Sequence, residues 1–163
     1  MARILIVGCG CRGRELAAAL IDDGHLVRGT TRHPERLDEI EAACGQAALA
    51  DPDRLGTLLP LLAEVTVVCW LLGTAAGTPE AVAAVHGPRL QSLLAKLVDT
   101  PVRGLVYEAA GTVMSEILAE GGVAVRAAGV TYRMPTEVVE VPPNPRAEWL
   151  AAMRSAVAGV LTA

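Results

Sequence analysis

The feature that most constrains this chain lies near its start, where an apolar run leads straight into a glycine-rich turn. Residues 3–7 read Arg-Ile-Leu-Ile-Val, and residues 8–13 read Gly-Cys-Gly-Cys-Arg-Gly, which matches the pattern G-x-G-x-x-G. Residues 14–21 follow with the composition of a helix. A strand, a glycine turn and a helix in this order are typical of a pyrophosphate-binding turn in a dinucleotide site. A plain tight turn is the alternative, because the pattern alone also occurs in unrelated loops.

Each glycine of this turn has a physical role. Gly8 allows a tight reversal, Gly10 lets main-chain N–H groups approach a pyrophosphate, and Gly13 lets the helix lie close to the strand. The anion then lies at the helix N-terminus, where unpaired N–H groups and the helix dipole favour negative charge. The sequence therefore predicts cofactor contacts from Gly8, Gly10, Cys11, Arg12 and Gly13.

Composition limits the remaining function classes. A chain of 163 residues suits one domain, here 1–163, and 52% apolar residues can form a sizeable core. With two Trp, two Tyr and no Phe, that core must consist mainly of Ala, Val, Leu and Ile. The net charge of −4 and the scarcity of aromatics argue against nucleic-acid binding. No apolar run is long enough to span a membrane or to resemble a signal peptide, so we expect a cytoplasmic protein without membrane contacts.

Strand-like and helix-like segments alternate along the whole chain. The predicted strands are 3–7, 25–31, 46–50, 65–72, 103–109 and a sixth that begins at Val123. The predicted helices are 12–23, 35–44, one that begins at 51–52, 79–98 with an interruption at 86–88, 113–120 and 146–161. The least regular part, 130–141, has room for a short extra strand pair. The alternation predicts an α/β fold, namely a Rossmann-type doubly wound parallel sheet in the order 3-2-1-4-5-6 with helices on both faces.

The end of the predicted second strand indicates which dinucleotide binds. An NAD site usually has Asp or Glu there, about 20 residues after the glycines. This chain instead reads Gly-Thr-Thr-Arg-His-Pro at 29–34. Arg32 offers a planar fork for a phosphate, Thr31 a hydroxyl, and Arg12 and Arg36 could reach the same phosphate. The pattern predicts NADP rather than NAD, unless Arg32 and Arg36 are merely solvated surface charges.

These residues together give the chain a resemblance to a known family. It resembles the atypical and extended short-chain dehydrogenase/reductases, the NAD-dependent epimerase/dehydratase-like proteins with an NAD(P)-binding fold. The matching residues are 4–13, 29–32, 34–37, 50–53 with Leu55, 65–72 and 104–113. The resemblance implies that Asp51 lies near the adenine and that Leu71, Leu72 and Gly73 line the adenosine and diphosphate part of the cofactor. Asp51 could instead serve only as a helix cap.

The chain departs from this family at the catalytic positions. Ala109 and Ala110 end the fifth strand where the family has Ser or Thr, and Tyr-x-x-x-Lys occurs nowhere. The only lysine is Lys96, and Tyr107 lies within a predicted buried strand. The family's substrate-binding extension after strand six is missing as well. The resemblance therefore implies a cofactor site without the usual catalytic set.

A few other side chains could carry chemistry. Glu108 near the end of a buried strand is a candidate acid or base, because desolvation raises a carboxyl pKa. The alternative is that Glu108 faces outward or pairs with an arginine. We expect a surface or capping role for His86. Cys9 and Cys11 could form a redox-sensitive pair or simply be small residues that fit the turn, and the four cysteines match neither a zinc site nor a disulfide framework.

Two functions from different classes remain open. The first is an NADP-dependent oxidoreductase that transfers hydride from NADPH to an unknown small-molecule substrate, such as a flavin or quinone. The second is a non-catalytic NADP(H)-binding redox sensor or a subunit of a larger assembly. An apolar stripe around Trp149, together with the fourth helix, could form a homodimer or partner face, or it could pack on the sheet.

Overall fold

The computed structural model describes all residues from Met1 to Ala163. Its strands are β1 (Arg3–Val7), β2 (Leu26–Thr31), β3 (Gly45–Leu49), β4 (Val67–Trp70), β5 (Gly104–Glu108) and β6 (Thr136–Val139). Its helices are α1 (Cys11–Asp22), α2 (Leu37–Cys44), α3 (Leu55–Leu58), α4 (Pro79–His86), α5 (Pro88–Leu97), α6 (Ser115–Tyr132) and α7 (Arg146–Thr162). Short 3-10 turns lie at Pro34–Arg36 and Leu59–Leu62. No helix combines the length and apolar character that crossing a bilayer requires.

The six strands form one sheet in the order β3-β2-β1-β4-β5-β6, and every neighbouring pair is parallel. This confirms the predicted doubly wound α/β fold. The register aligns Val7 of β1 with Trp70 of β4, and Trp70 with Tyr107 of β5. The strand order reverses between β1 and β4, so a crevice is expected at their carboxyl ends.

Both faces of the sheet are buried, which explains the continuous apolar strands. Leu5 and Val7 of β1 point into one core cluster, which also receives side chains from α3, α4, α5 and α6. Ile4 and Ile6 point into a second cluster, which is completed by α1, α2 and α7. Alternate residues of one strand thus hold helices on both faces.

The apolar stripe of α7 belongs to the second cluster. Trp149, Met153, Val157 and Val160 are almost fully buried, and α7 packs against α1, β4, β5 and β6. Of the two interpretations of this stripe, packing on the sheet is therefore the one that the structure shows.

The structure differs most from expectation after β5. The predicted strand at Val123 is wrong, because α6 continues without a break from Ser115 to Tyr132, and β6 begins only at Thr136. Glycines lower helix propensity, and Gly121 and Gly122 made this segment look like a break. In the fold these two residues let α6 approach the sheet: a Cβ at residue 121 would overlap the Tyr107 hydroxyl, and one at residue 122 would lie 3.2 Å from Val138.

Candidate functional site

The glycine turn after β1 is fixed against the ends of β2 and β4. Gly8 has φ +82°, and a Cβ there would lie 2.5 Å from the Leu71 carbonyl oxygen and 2.7 Å from Leu72 Cδ2. The N–H of Cys9 donates to the Thr30 carbonyl oxygen at 2.9 Å. The conformation and the close approach together require glycine at residue 8.

The N-terminus of α1 opens onto free space. Gly10 is its N-cap, with φ −86° and no side-chain cap. A Cβ added to Gly10 would meet no atom within 4 Å. The N–H groups of the first helical turn have no partner within a helix, so an anion placed above Gly10 could accept hydrogen bonds from them. This open cradle fits a pyrophosphate.

A cleft of about 220 Å³ lies at this edge of the sheet. Seven residues predicted as cofactor contacts line it: Gly8, Gly10, Thr31, Arg32, Asp51, Leu71 and Leu72. Four others, Cys11, Arg12, Gly13 and Gly73, do not line it. The sequence reasoning missed Ala81, Val82 and Val85, which line the cleft from α4. No sequence motif marks them, since α4 reaches the cleft only through the packing of the fold.

The rim of the cleft carries two arginines without ion-pair partners. Arg32 follows β2 directly, Arg36 lies in the next 3-10 turn, and both side chains are exposed. Neither guanidinium is among the ion pairs of the chain. Thr31 is buried, and its hydroxyl accepts a hydrogen bond from the His33 N–H at 3.1 Å. The rim thus presents positive charge where an acidic residue would stand in an NAD site.

Asp51 faces the same cleft and does not cap a helix. Helix α3 begins only at Leu55, and its N-cap is Arg54. The Asp51 carboxylate instead accepts a hydrogen bond from the N–H of Asp53 at 2.9 Å, which forms a local turn. The helix-cap interpretation is therefore wrong, whereas contact with an adenine stays a prediction.

Glu108 is fully buried at the end of β5, and it pairs with Arg12. Arg12 Nη2 donates to Glu108 Oε1 at 2.7 Å, and Arg12 Nε donates to Oε2 at 3.3 Å. The N–H of Gly73 and the indole N–H of Trp149 donate to the same carboxylate at 2.9 and 3.0 Å. Four donors therefore satisfy Glu108, which favours its structural interpretation over an acid–base role.

The Arg12 guanidinium is turned toward the sheet rather than toward Arg32. Besides Glu108, Arg12 Nη1 donates to the Thr74 hydroxyl at 2.9 Å, and the guanidinium carbon lies 5.5 Å from the centre of the Trp149 ring. The interpretation that Arg12 shares a ribose phosphate with Arg32 does not fit these contacts.

Gly73 joins the loops that follow β4 and β5. Its carbonyl oxygen accepts a hydrogen bond from the N–H of Val113 at 3.0 Å, and its N–H is held by Glu108. A Cβ at residue 73 would overlap the carbonyl oxygen of Ala110. Gly73 therefore holds the loops after β4 and β5 together and does not line the cleft.

His86 and Tyr107 form a second buried polar pair. The Tyr107 hydroxyl lies 2.6 Å from His86 Nδ1, and His86 Nε2 lies 2.8 Å from the Leu72 carbonyl oxygen. A carbonyl can only accept, so Nε2 carries the proton, and in the neutral ring Nδ1 accepts from the tyrosine. Burial lowers the pKa of His86 and raises the pKa of Tyr107. The predicted surface or capping role of His86 is wrong, and the Tyr107 hydroxyl is occupied inside the core.

The cysteines are arranged differently from the expected Cys9–Cys11 pair. Cys11 is exposed at the first residue of α1, whereas the Cys9 sulfur lies 3.7 Å from that of Cys44 at the end of α2. Cys69 is fully buried in β4. The partner of Cys9 across the fold was not visible from sequence spacing.

Comparisons with known proteins define the fold. No family model matches the sequence, and no curated protein sequence matches it. Among solved structures, one assigned to a short chain dehydrogenase/reductase family oxidoreductase from Aeromonas hydrophila matches with a TM-score of 0.69 and 19% identity, over 96% of this chain and 91% of that chain.

Two further structures contain a bound dinucleotide. A short-chain dehydrogenase/reductase superfamily protein from Agrobacterium tumefaciens with bound NAD matches with a TM-score of 0.68 and 20% identity, over 83% of this chain. UDP-glucuronic acid 4-epimerase from Bacillus cereus in complex with NAD matches with a TM-score of 0.68 and 16% identity, over 86% of this chain. This chain spans only about half the length of these two proteins, 48% and 56% respectively. At such identities the likeness establishes a Rossmann fold.

Proposed function

We propose that the protein binds NADP(H) in the cleft after β1, β2 and β4, and that it transfers hydride from NADPH to a small acceptor. One juxtaposition carries the proposal: the uncapped N-terminus of α1 at Gly10 and the unpaired guanidinium of Arg32 lie on the same cleft. The first suits a pyrophosphate, and the second suits a phosphate on the adenosine ribose.

The choice of NADP rests on the end of β2. Two of the similar solved structures described above contain NAD. This chain has Thr31 and Arg32 where an NAD site usually has a carboxylate, and Arg36 adds a second positive charge nearby. A 2′-phosphate would neutralise charge that a bare ribose hydroxyl leaves uncompensated.

The side chains of this chain position the cofactor rather than move protons. When bound, the nicotinamide supplies the hydride. The unpartnered N–H groups of the first turn of α1, after Gly10, would hold the diphosphate, and Leu71 and Leu72 give the cleft an apolar wall. Glu108 and the Tyr107 hydroxyl are buried and fully hydrogen-bonded, so neither is available as an acid or base. A flavin or quinone suits such a site, since proximity and orientation lower the barrier for these acceptors.

The lack of an available acid or base also favours a second candidate, a non-catalytic NADP(H)-binding redox sensor or a subunit of a larger assembly. Ala109 and Ala110 lie where the family that this chain resembles has Ser or Thr. The side chains of Tyr107 and Glu108 in β5 are fully buried. In either case we propose a cytoplasmic location, because all four cysteines are free thiols, as is usual in reducing compartments.

Titration of the reduced protein with NADPH and with NADH, followed by nucleotide fluorescence, tests the cofactor. We expect tighter binding of NADPH, and equal affinity for both nucleotides would contradict the proposal. Oxidation of NADPH is then measured with quinones, flavins and aldehydes at high protein concentration. Turnover supports the oxidoreductase, whereas tight binding without turnover supports the sensor.

A further inference from the structure

Two thiols meet directly behind the glycine turn. Cys9 lies between Gly8 and Gly10, Cys44 is the last residue of α2, and both side chains are 3% exposed. Their sulfur atoms are 3.7 Å apart, although the residues are separated by 35 positions in the chain. Cys9 is also one of the residues that line the cleft. The pair therefore connects the turn proposed to hold the diphosphate with the helix that begins beside Arg36.

Gly29 of β2 keeps the space into which the Cys9 thiol projects. A Cβ at residue 29 would lie 2.8 Å from the Cys9 sulfur and 2.7 Å from Ile40 Cγ2 of α2. The absence of a side chain here lets the turn, the strand and α2 converge around the two sulfurs. A disulfide has an S–S length of about 2.05 Å, so the sulfurs would have to approach by about 1.7 Å.

The surroundings favour one thiolate in the pair. A hydrogen bond from the Cys9 thiol, followed by the positive charge of Arg14, lowers the pKa of Cys44 against the opposing effect of burial. The same hydrogen bond and burial raise the pKa of Cys9. We therefore assign the nucleophile of the pair to Cys44 and the retained proton to Cys9.

We propose that a peroxide converts Cys9 and Cys44 into a reversible disulfide, and that this link weakens nucleotide binding at the glycine turn. The second half rests on the proposed function. The Cys44 thiolate attacks a peroxide oxygen, the O–O bond breaks, and a sulfenic acid and water form once a proton is taken up. The Cys9 thiol then attacks the Cys44 sulfur, the S–S bond forms and the S–O bond breaks. The Cys9 proton leaves with the hydroxyl as water, so two thiols lose two electrons and hydrogen peroxide becomes two waters.

The link acts on the turn because Cys9 has little freedom on its N-terminal side. Gly8 is held by its positive φ and by its contact with Leu71, and the Cys9 N–H is bonded to Thr30. Drawing the Cys9 side chain toward α2 therefore moves the main chain that leads to Gly10, where the open space for an anion lies. Binding equilibria are reciprocal, so a bound nucleotide must favour the dithiol by the same factor by which the disulfide disfavours the nucleotide.

Peptide mapping after peroxide treatment tests the covalent step. Trypsin places Cys9 and Cys11 together in peptide 4–12 and Cys44 alone in peptide 37–54. Mapping is therefore done in parallel on the wild type and on Cys11→Ser, and the linked peptide is expected in both. Its absence from Cys11→Ser, with a link present in the wild type, would assign the bond to Cys11 and overturn the inference. Absence from both proteins would overturn it as well.

Nucleotide titration before and after oxidation tests the consequence. In the wild type we expect oxidation to weaken NADPH binding at least about fivefold, the lower range of allosteric couplings, and dithiothreitol to restore it. Cys44→Ala retains Cys9 and Cys11, and it should bind NADPH with the same affinity before and after peroxide treatment. Cys44→Ser serves the same purpose if the alanine variant folds poorly. A linked wild type with unchanged affinity overturns the regulatory claim alone. A reduced wild type that binds no nucleotide overturns the proposed function and this regulation, while the peptide map still decides the disulfide.

Discussion

The Glu108 carboxylate lies 2.7 Å from Arg12 Nη2, although 96 positions separate the two residues in the chain. The contact joins the first turn of α1, which overlaps the end of the glycine turn, to the end of β5. The Trp149 indole N–H completes it from α7 at 3.0 Å. Three distant parts of the chain therefore fix the position of the helix whose N-terminus faces the cleft.

Glu108→Gln should destabilise the protein by about 3 kcal/mol, because breaking a buried ion pair leaves the other charge uncompensated. The new amide N–H₂ would also face donors that the carboxylate now satisfies. Urea unfolding at neutral pH measures the change. Glu140→Gln is the matched control, since Glu140 pairs with Arg126 on the surface and such pairs contribute about 0–1 kcal/mol. Equal losses in both variants would show that Glu108 and Arg12 are not coupled as described.

Gly10→Ala should weaken NADPH binding and leave stability almost unchanged. Gly10 has an ordinary φ of −86°, and a Cβ there meets no protein atom, so the methyl group would occupy only the space proposed for the diphosphate. Gly8→Ala should instead destabilise the fold, because of its φ of +82° and its contact with Leu71. Thermal unfolding and NADPH titration of both variants separate the two effects. A Gly10→Ala protein that binds NADPH like the wild type would place the diphosphate elsewhere.

Arg32→Ala should weaken NADPH binding by about 1.5–3 kcal/mol, the scale of hydrogen bonds to charged groups, and should hardly change NADH binding. Arg103→Ala is the matched control, because Arg103 is exposed and directly precedes the amino end of β5, whereas the cleft lies at the carboxyl ends of the strands. Fluorescence titration with both nucleotides gives the four affinities. If Arg32→Ala weakened NADPH and NADH equally, Arg32 would not contact a 2′-phosphate.

Acidification should destabilise the protein through His86. Burial lowers the pKa of His86 in the folded state below 6.5, so below pH 6.5 the unfolded chain takes up a proton that the folded chain refuses. This contribution to stability is complete above pH 6.5 and is lost as the pH falls toward the folded pKa, with a slope of at most about 1.4 kcal/mol per pH unit. Urea unfolding at pH 7.5 and pH 5.5 measures it, and His86→Gln should show a smaller difference. Parallel pH dependence in both proteins would assign the effect to other groups.

The sequence predicted the central part of the fold well, because local physics decides it. The apolar run 3–7, the glycine turn and the following helix carry their own periodicity and turn chemistry, and alternating segments leave few topologies for a parallel sheet. Seven of the residues predicted as cofactor contacts line the cleft for a related reason. They follow the carboxyl ends of strands, and the strand order brings those ends together.

Other features depend on contacts between distant residues. Glycines at 121 and 122 resemble a break in the sequence, yet they lie within α6 because the helix must approach Tyr107 and Val138 closely. The sequence raised an arginine partner for Glu108 but did not indicate which arginine, since Arg12 lies 96 positions away. The Cys9–Cys44 contact is likewise invisible in sequence spacing.

The sequence by itself determined the α/β layering, the strand order and the glycine turn, because hydrophobic period and glycine geometry act over a few residues. Only the tertiary structure decided which charged and polar side chains meet. Those pairings depend on which elements pack together, and packing brings side chains within hydrogen-bond distance regardless of their separation along the chain.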